Sequence, residues 1–211
     1  IYIIIKGSGA ISWQFLTNYP SNGMHDGGIF PALVGTFYLT LGTAIFAVPL
    51  GLGAAIYLAE YASDNRMTQL IRIAITSLSG IPSVVYGLCA LLVLVPFVRD
   101  TLAPLFQVKT TGMCVFTAAV VLAIMVIPVM ISISVESLRA LPVGLREQFL
   151  SLGATKLQLV ETVLLRAAGP GIISGVILGF GRAFGETMAV AMVIGNKNIL
   201  PTSLFSPGQT L

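Results

Sequence analysis

The chain has 211 residues, of which 56% are hydrophobic and only 9% charged, with a formal net charge of +3. Soluble domains carry about 25% charged residues, so this composition excludes a surface that faces water over most of its area and indicates a polytopic membrane protein. The charge is small and dispersed, which excludes a basic nucleic-acid-binding stripe, and His25, Cys89 and Cys114 have no metal-ligand spacing.

The chain opens on IYIII and closes on SLFSPGQTL, with neither a start methionine nor a terminal helix. It reads as a fragment of a longer protein, without a cleavable signal peptide. A bilayer core takes about 20 apolar residues as helix. IYIII has the look of the tail of one span, and four further stretches qualify, at about 31–59, 73–98, 113–135 and 169–194. Polar connections lie at 6–28, 60–72, 99–111, 136–168 and 196–211. Alternation puts 60–72 and 136–168 on one side, with Arg66, Arg72, Arg139, Arg146, Lys156 and Arg166. Lys6, Arg99, Lys109 and Lys197 fall on the other, and the excess of cations favours 136–168 as cytoplasmic.

Within the spans, Pro49, Pro82 and Pro128 each remove a backbone donor, so the helix must kink or find another partner there. In GIPSVVYG, Gly80, Pro82 and Gly87 cluster with Ser83 and Tyr86, the best candidate for a broken helix lining a pathway; tight bundle packing is the plainer alternative. Gly171, Gly175 and Gly179 recur at every fourth position and form a smooth stripe for close helix contact. Cys89 and Cys114 sit in apolar stretches as small membrane-buried residues.

The connection ESLRALPVGLREQFLSLGATKLQLVETVLLRAA is too long for a turn. Pro142 suits a first helical turn, and Leu145, Phe149 and Leu152 follow at helical spacing. Gly153 can take the left-handed conformation that ends such a helix. Thr155 then caps a second one, with Gln158 three residues on as in a capping box, and Leu157, Val160 and Leu164 give it an apolar face. Two short amphipathic helices hinged at a glycine are expected. They could lie on lipid or dock a partner, and spacing does not choose between these.

REQFLSLGATKLQLVETVLL resembles the EAA loop of ABC importer permeases, a pattern of Glu-Ala-Ala, three residues, Gly, nine residues, Ile, one residue, Leu-Pro. Glu147, Gly153, Val163 and Leu165 fall in register; Gln148, Phe149 and Arg166 depart from it. GVILGFGRAFGETMAV, GIPSVVYG, GGIFPALVGTFYLTL and PLGLGAAIYLAEYA are similar to permease subunits of the bacterial phosphate importer, the Pst system. The first half leans toward its PstA type and the second toward PstC. The resemblance implies an all-α membrane bundle of the MetI-like type, one permease domain over 1–211, in the prokaryotic inner membrane. It implies a second permease, a pair of ATPase subunits and an extracytoplasmic phosphate-binding protein as partners, beside membrane lipid. Glu147, Gly153, Ala154 and Thr155 would then meet the ATPase.

GFGRAFGETMAV carries the only charges in its apolar run. Arg182 lies near the middle of the expected span 169–194, about 18 Å from either end at about 1.5 Å per residue, too deep to snorkel. Insertion of such a residue costs about 2.5–3.5 kcal/mol. At i+4 on the same helix face, Glu186 can pair with it, and neither can point at lipid. A structural ion pair that orients helices is one reading. The other, which the resemblance favours, gives Arg182 the phosphate, because its planar fork matches the oxyanion. Glu186 would hold that fork when the pathway is empty and accept the proton of hydrogen phosphate, which sulfate lacks. Ser83 and Tyr86 would line the same path.

The chain has no G-x-x-x-x-G-K-[ST] loop and no Ser/His/Asp or Cys/His set, so it is not expected to be an enzyme or to bind a cofactor itself. An ion-gradient-driven carrier, a sulfate or molybdate permease, and a receptor without flux are the competing functions.

Overall fold

Helix ends in this chain fall where the sequence removes a backbone donor or supplies a cap. The computed structural model describes residues 7, 9, 11–21, 27–197, 200 and 203–210; IYIII, Lys6 and His25 lie outside them. In chain order the helices are α1 (Trp13–Thr17), α2 (Phe30–Tyr61), α3 (Arg66–Ser79), α4 (Ser83–Leu105), α5 (Val115–Arg139), α6 (Val143–Ser151), α7 (Lys156–Ala167), α8 (Gly169–Phe184) and α9 (Met188–Val193). The expected all-α class holds: no strand element occurs among the described residues.

Three of these helices, α2, α4 and α5, are long and apolar enough to cross a bilayer, with mean hydropathies of 1.9, 1.8 and 2.7. The pair α7 and α8, bent by 70°, qualifies as a fourth, broken span. Pro49 and Pro128 lie inside helices that continue past them.

Two expected spans are corrected. The stretch 73–98 is not one helix. Gly80 closes α3, its N–H reaching the Ser77 carbonyl at 3.1 Å, and Pro82 supplies no donor and disfavours helix in the residue before it. The spanning helix therefore starts at Ser83, and α3 is a separate amphipathic helix, capped by Asn65 through the Thr68 N–H at 2.9 Å. The stretch 169–194 is also broken: α8 ends at Phe184, and α9 begins at Met188 after a short turn. The Gly185 N–H reaches back to the Gly181 and Arg182 carbonyls at 3.3 and 3.2 Å, which closes the helix.

Contacts gather the chain into two compact units, one of residues 1–42, 87–121 and 188–211, the other of 43–86 and 122–187. In the first, Gly87 gives α9 close access: a Cβ there would meet Met192 Sδ at 2.8 Å and Ala189 Cα at 3.0 Å. The C-terminal segment pairs with the start of α5, Phe116 N–H donating to the Leu204 carbonyl at 2.8 Å, and the Phe205 ring sits 5.6 Å from Phe106 and 5.4 Å from Phe116. Cys114 is buried here, and Cys89 lies on the exposed side of the apolar spanning helix α4.

The second unit has two apolar clusters. Ala47, Ala123, Val126 and Met130 form one, with Val176 and Ala183 against it. Leu138, Leu159, Val160, Leu164, Ala168 and Ile172 form the other. The glycine stripe of α8 does what its spacing suggests. A Cβ at Gly175 would come within 3.2 Å of Ile133, and one at Gly179 within 2.8 Å of Val126 and 2.9 Å of Met130. With side chains absent from that face, α8 lies directly on α5.

Candidate functional site

The break between α3 and α4 leaves the last carbonyls of α3 without helical partners, and two of the expected pathway residues serve them. Tyr86, in the first turns of α4, donates its hydroxyl to the Leu78 carbonyl at 2.8 Å. Arg182, from α8, donates to the next carbonyl: its Nη1 and Nη2 reach Ser79 O at 3.2 and 3.1 Å. A cation at a helix C-terminus is also favoured by the helix dipole, by about 0.3–1 kcal/mol when exposed and up to about 2 when partly buried. Ser83 stands half-buried at the start of α4. Arg182, Tyr86 and Ser83 are thereby drawn to one helix break.

The position of Arg182 corrects the expectation. It is two residues from the end of α8, not midway along a continuous span. Glu186 lies beyond that end, in the turn before α9, so the i,i+4 relation on one helix face does not exist here. Glu186 is half-buried, and its N–H donates to the Ala183 carbonyl at 3.2 Å. The acceptor that holds the Arg182 fork is a neutral carbonyl, which no sequence pattern indicated.

The 136–168 connection folds as two short helices with a glycine hinge. Pro142 precedes α6 as its cap residue, Gly153 has φ +82°, and Thr155 and Gln158 form a capping box. Glu147 is exposed on α6, Gly153 and Thr155 are exposed at the hinge, and Ala154 between them is half-buried. Two apolar positions differ from their expected roles. Leu152 is 83% exposed and Leu157 58% exposed, whereas Leu159, Val160 and Leu164 turn inward. Both exposed leucines stand at the exposed hinge, Leu152 just before it and Leu157 in the first turn of α7, while Val160 and Leu164 keep the apolar face their spacing gives them.

Sequence reasoning missed a second constellation. α2 ends in a π turn, Tyr57–Tyr61, and its carbonyls and carboxylate collect cations from four later helices. Arg146 of α6 meets Glu60 at 2.7 Å through Nη2, with Nε 3.2 Å from each carboxylate oxygen. The same guanidinium donates to Leu141 O at 2.9 Å and Leu138 O at 2.7 Å. The pair is largely buried, with side-chain exposures of 10% for Glu60 and 18% for Arg146. Arg72 and Arg139 each reach Leu58 O, at 3.4 and 3.3 Å. Lys156 reaches Glu60 O at 3.3 Å and lies 5.7 Å over the Tyr61 ring. The loops 60–72 and 136–168 therefore do meet, as their common side required. The available signal was Glu60 itself, an acid at the end of an apolar span opposite a loop rich in arginine.

The family described as "Binding-protein-dependent transport system inner membrane component" matches residues 47–209. The chain belongs to that family. It is a multi-pass inner-membrane permease component, as its apolar helices require. Over its whole length it is 39% identical to the probable ABC transporter permease protein YqgH of Bacillus subtilis, of which it covers 69%. It is 40% identical to the phosphate transport system permease protein PstC of Haemophilus influenzae, over 88% of this chain and 62% of that protein. The chain thus spans about two thirds of the length of these relatives. Among solved structures, a chain of the MetNI methionine ABC transporter in an inward-facing conformation matches with a TM-score of 0.53 at 19% identity, over 78% of this chain and 69% of that one. That likeness speaks for the permease fold alone, and it agrees with the MetI-like bundle expected.

Proposed function

We propose that this chain is a permease subunit of an ATP-driven importer of inorganic phosphate. Residues 1–211 act as one permease domain beside a second permease, and the 136–168 loop, with Glu147, Gly153, Ala154 and Thr155, docks on a separate ATPase pair. An extracytoplasmic phosphate-binding protein delivers the solute. Relatives named as phosphate permeases support the substrate. The exposed outer face of α6 and the hinge support the docking surface.

The observation that carries the reading is the state of Arg182. Both terminal nitrogens of its fork rest on the Ser79 carbonyl, a weaker acceptor than an anionic oxygen, since charge-assisted hydrogen bonds are about twice as strong as neutral ones. A phosphate arriving there displaces that carbonyl, because two of its oxygens offer the guanidinium two charged acceptors in place of one neutral one. Release stays feasible, since Ser79 O is at hand to take the fork back and a transit site must not hold its ion tightly. Ser83 and Tyr86 offer hydroxyls beside the same break. Glu186, just past the end of α8, accepts a hydrogen bond from the hydroxyl of hydrogen phosphate.

The test is uptake into proteoliposomes holding the assembled complex with its binding protein. ATP-dependent phosphate accumulation that an ionophore leaves intact is expected, with sulfate excluded. Uptake that proceeds without ATP and collapses with the ionophore would establish an ion-gradient carrier instead, and ATP-dependent uptake of sulfate in place of phosphate would reassign the solute.

A further inference from the structure

We propose that Glu60, Arg146 and Lys156 form a joint that carries the movement of the cytoplasmic helices into α2, and that they are positioning residues for coupling between ATP turnover and transport. The inference rests on the permease reading above and adds to it the path by which force enters the membrane.

Three observations support it. First, α6 presents opposite faces to two different tasks. Glu147 points outward and is exposed, while its neighbour Arg146 points inward onto Glu60. A push on the outer face of α6 is therefore delivered to the end of α2 through one guanidinium. Second, the joint gathers both halves of the loop. Arg146 comes from before the Gly153 hinge and Lys156 from just after it, and both end on Glu60, one on its carboxylate and the other on its carbonyl. The hinge can flex while the two helices stay tethered to one residue. Third, the tether is directional. The Arg146 fork engages the carboxylate through Nε and Nη2, with the remaining hydrogen bonds on the Leu138 and Leu141 carbonyls. Those carbonyls belong to the end of α5 and the residues that follow, so one side chain ties α2, α5 and α6 together.

Stability alone is a poor account of this arrangement. A buried ion pair seldom outperforms an apolar contact of the same volume, because desolvation offsets its attraction, and an apolar cluster containing Leu138, Leu141 and Leu145 is already in place beside it. What a forked ion pair provides that leucines do not is a fixed angle between the elements it joins. The π turn at Tyr57–Tyr61 fits the same role: it widens the last turn of α2 and leaves Leu58 O to accept from Arg72 and Arg139. Such turns occur often at functional sites.

The experiment uses the complete reconstituted complex and reads solute uptake and ATP hydrolysis in the same proteoliposomes. Glu60→Gln and Arg146→Lys are expected to lower solute moved per ATP by about five- to tenfold, in the range of measured coupling between sites, while hydrolysis falls less than uptake. The exchange Glu60→Arg with Arg146→Glu is expected to restore part of the ratio. Arg146→Lys keeps the charge and guards against a folding failure of Glu60→Gln. A normal ratio in an assembled Arg146→Lys complex, or uptake and hydrolysis falling in strict proportion in both variants, overturns the proposal. Failure of the underlying reading is separate, since it would show as absent ATP-driven uptake in the unaltered complex.

Discussion

Two arginines in the same compact unit make opposite use of the same side chain. Arg146 is saturated: a carboxylate and two carbonyls hold its fork, and the pair is nearly buried. Arg182 is lightly held, with one neutral carbonyl shared by two of its nitrogens. A guanidinium bound to a carboxylate in a dry setting is a fastener, because letting go leaves two uncompensated charges. One parked on a carbonyl at a helix end can exchange that partner for an anion at little cost. The difference lies in the acceptors within reach and not in the arginines.

The contrast predicts that the two residues fail in different ways. Arg182→Ala has the largest effect expected, a loss of phosphate uptake of about 10- to 100-fold as the anion loses its charged donor, with complex assembly retained and a stability loss of no more than about 2 kcal/mol from the helix-end contact. Near-normal uptake at normal membrane levels would remove Arg182 from the pathway. Arg146→Ala should do the reverse to stability, costing about 3–5 kcal/mol by stranding Glu60. Thermal unfolding of the detergent-solubilised protein measures it, and a change below about 1 kcal/mol would mean that water reaches Glu60 freely. Tyr86→Phe removes the hydrogen bond to Leu78 O and should cost about 0.5–1.5 kcal/mol by the same measurement, with uptake reduced far less than by Arg182→Ala. The smallest effect is on selectivity: Glu186→Gln should leave stability within about 0.5 kcal/mol and relax the discrimination of phosphate from sulfate. Competition by sulfate in the uptake assay reads this directly, and unchanged competition would relieve Glu186 of that role.

Much of this architecture was legible beforehand because its causes are local. Gly153, Thr155 and Gln158 act over a few residues, and the hinge and capping box stand where their spacing placed them. The glycine stripe on α8 likewise needed only a period of four and a partner helix. The apolar runs were visible as runs, but their ends were misjudged in two places for one reason. Hydropathy averages over a window and so passes across GIPS and GET, where a glycine, a proline or a short turn ends the helix while the surrounding residues remain apolar. The i,i+4 pairing of Arg182 with Glu186 failed with the second of these ends. The apolar face of α7 differs at Leu157 alone, which stands in the first turn beside the exposed hinge and so lies outside the cluster that takes Val160 and Leu164.

By itself, then, the sequence determined that this is an all-helical membrane protein with a two-helix connection between spans, and it singled out Arg182 as a charge in need of a partner. Composition and short-range spacing suffice for these, since both are properties of contiguous residues. Which partner Arg182 takes, and that Glu60 joins Arg146 across 86 positions of chain, were decided only by tertiary structure. An ion pair or an orphan carbonyl is satisfied by whatever the fold brings within about 3 Å, and separation along the chain carries no information about that distance.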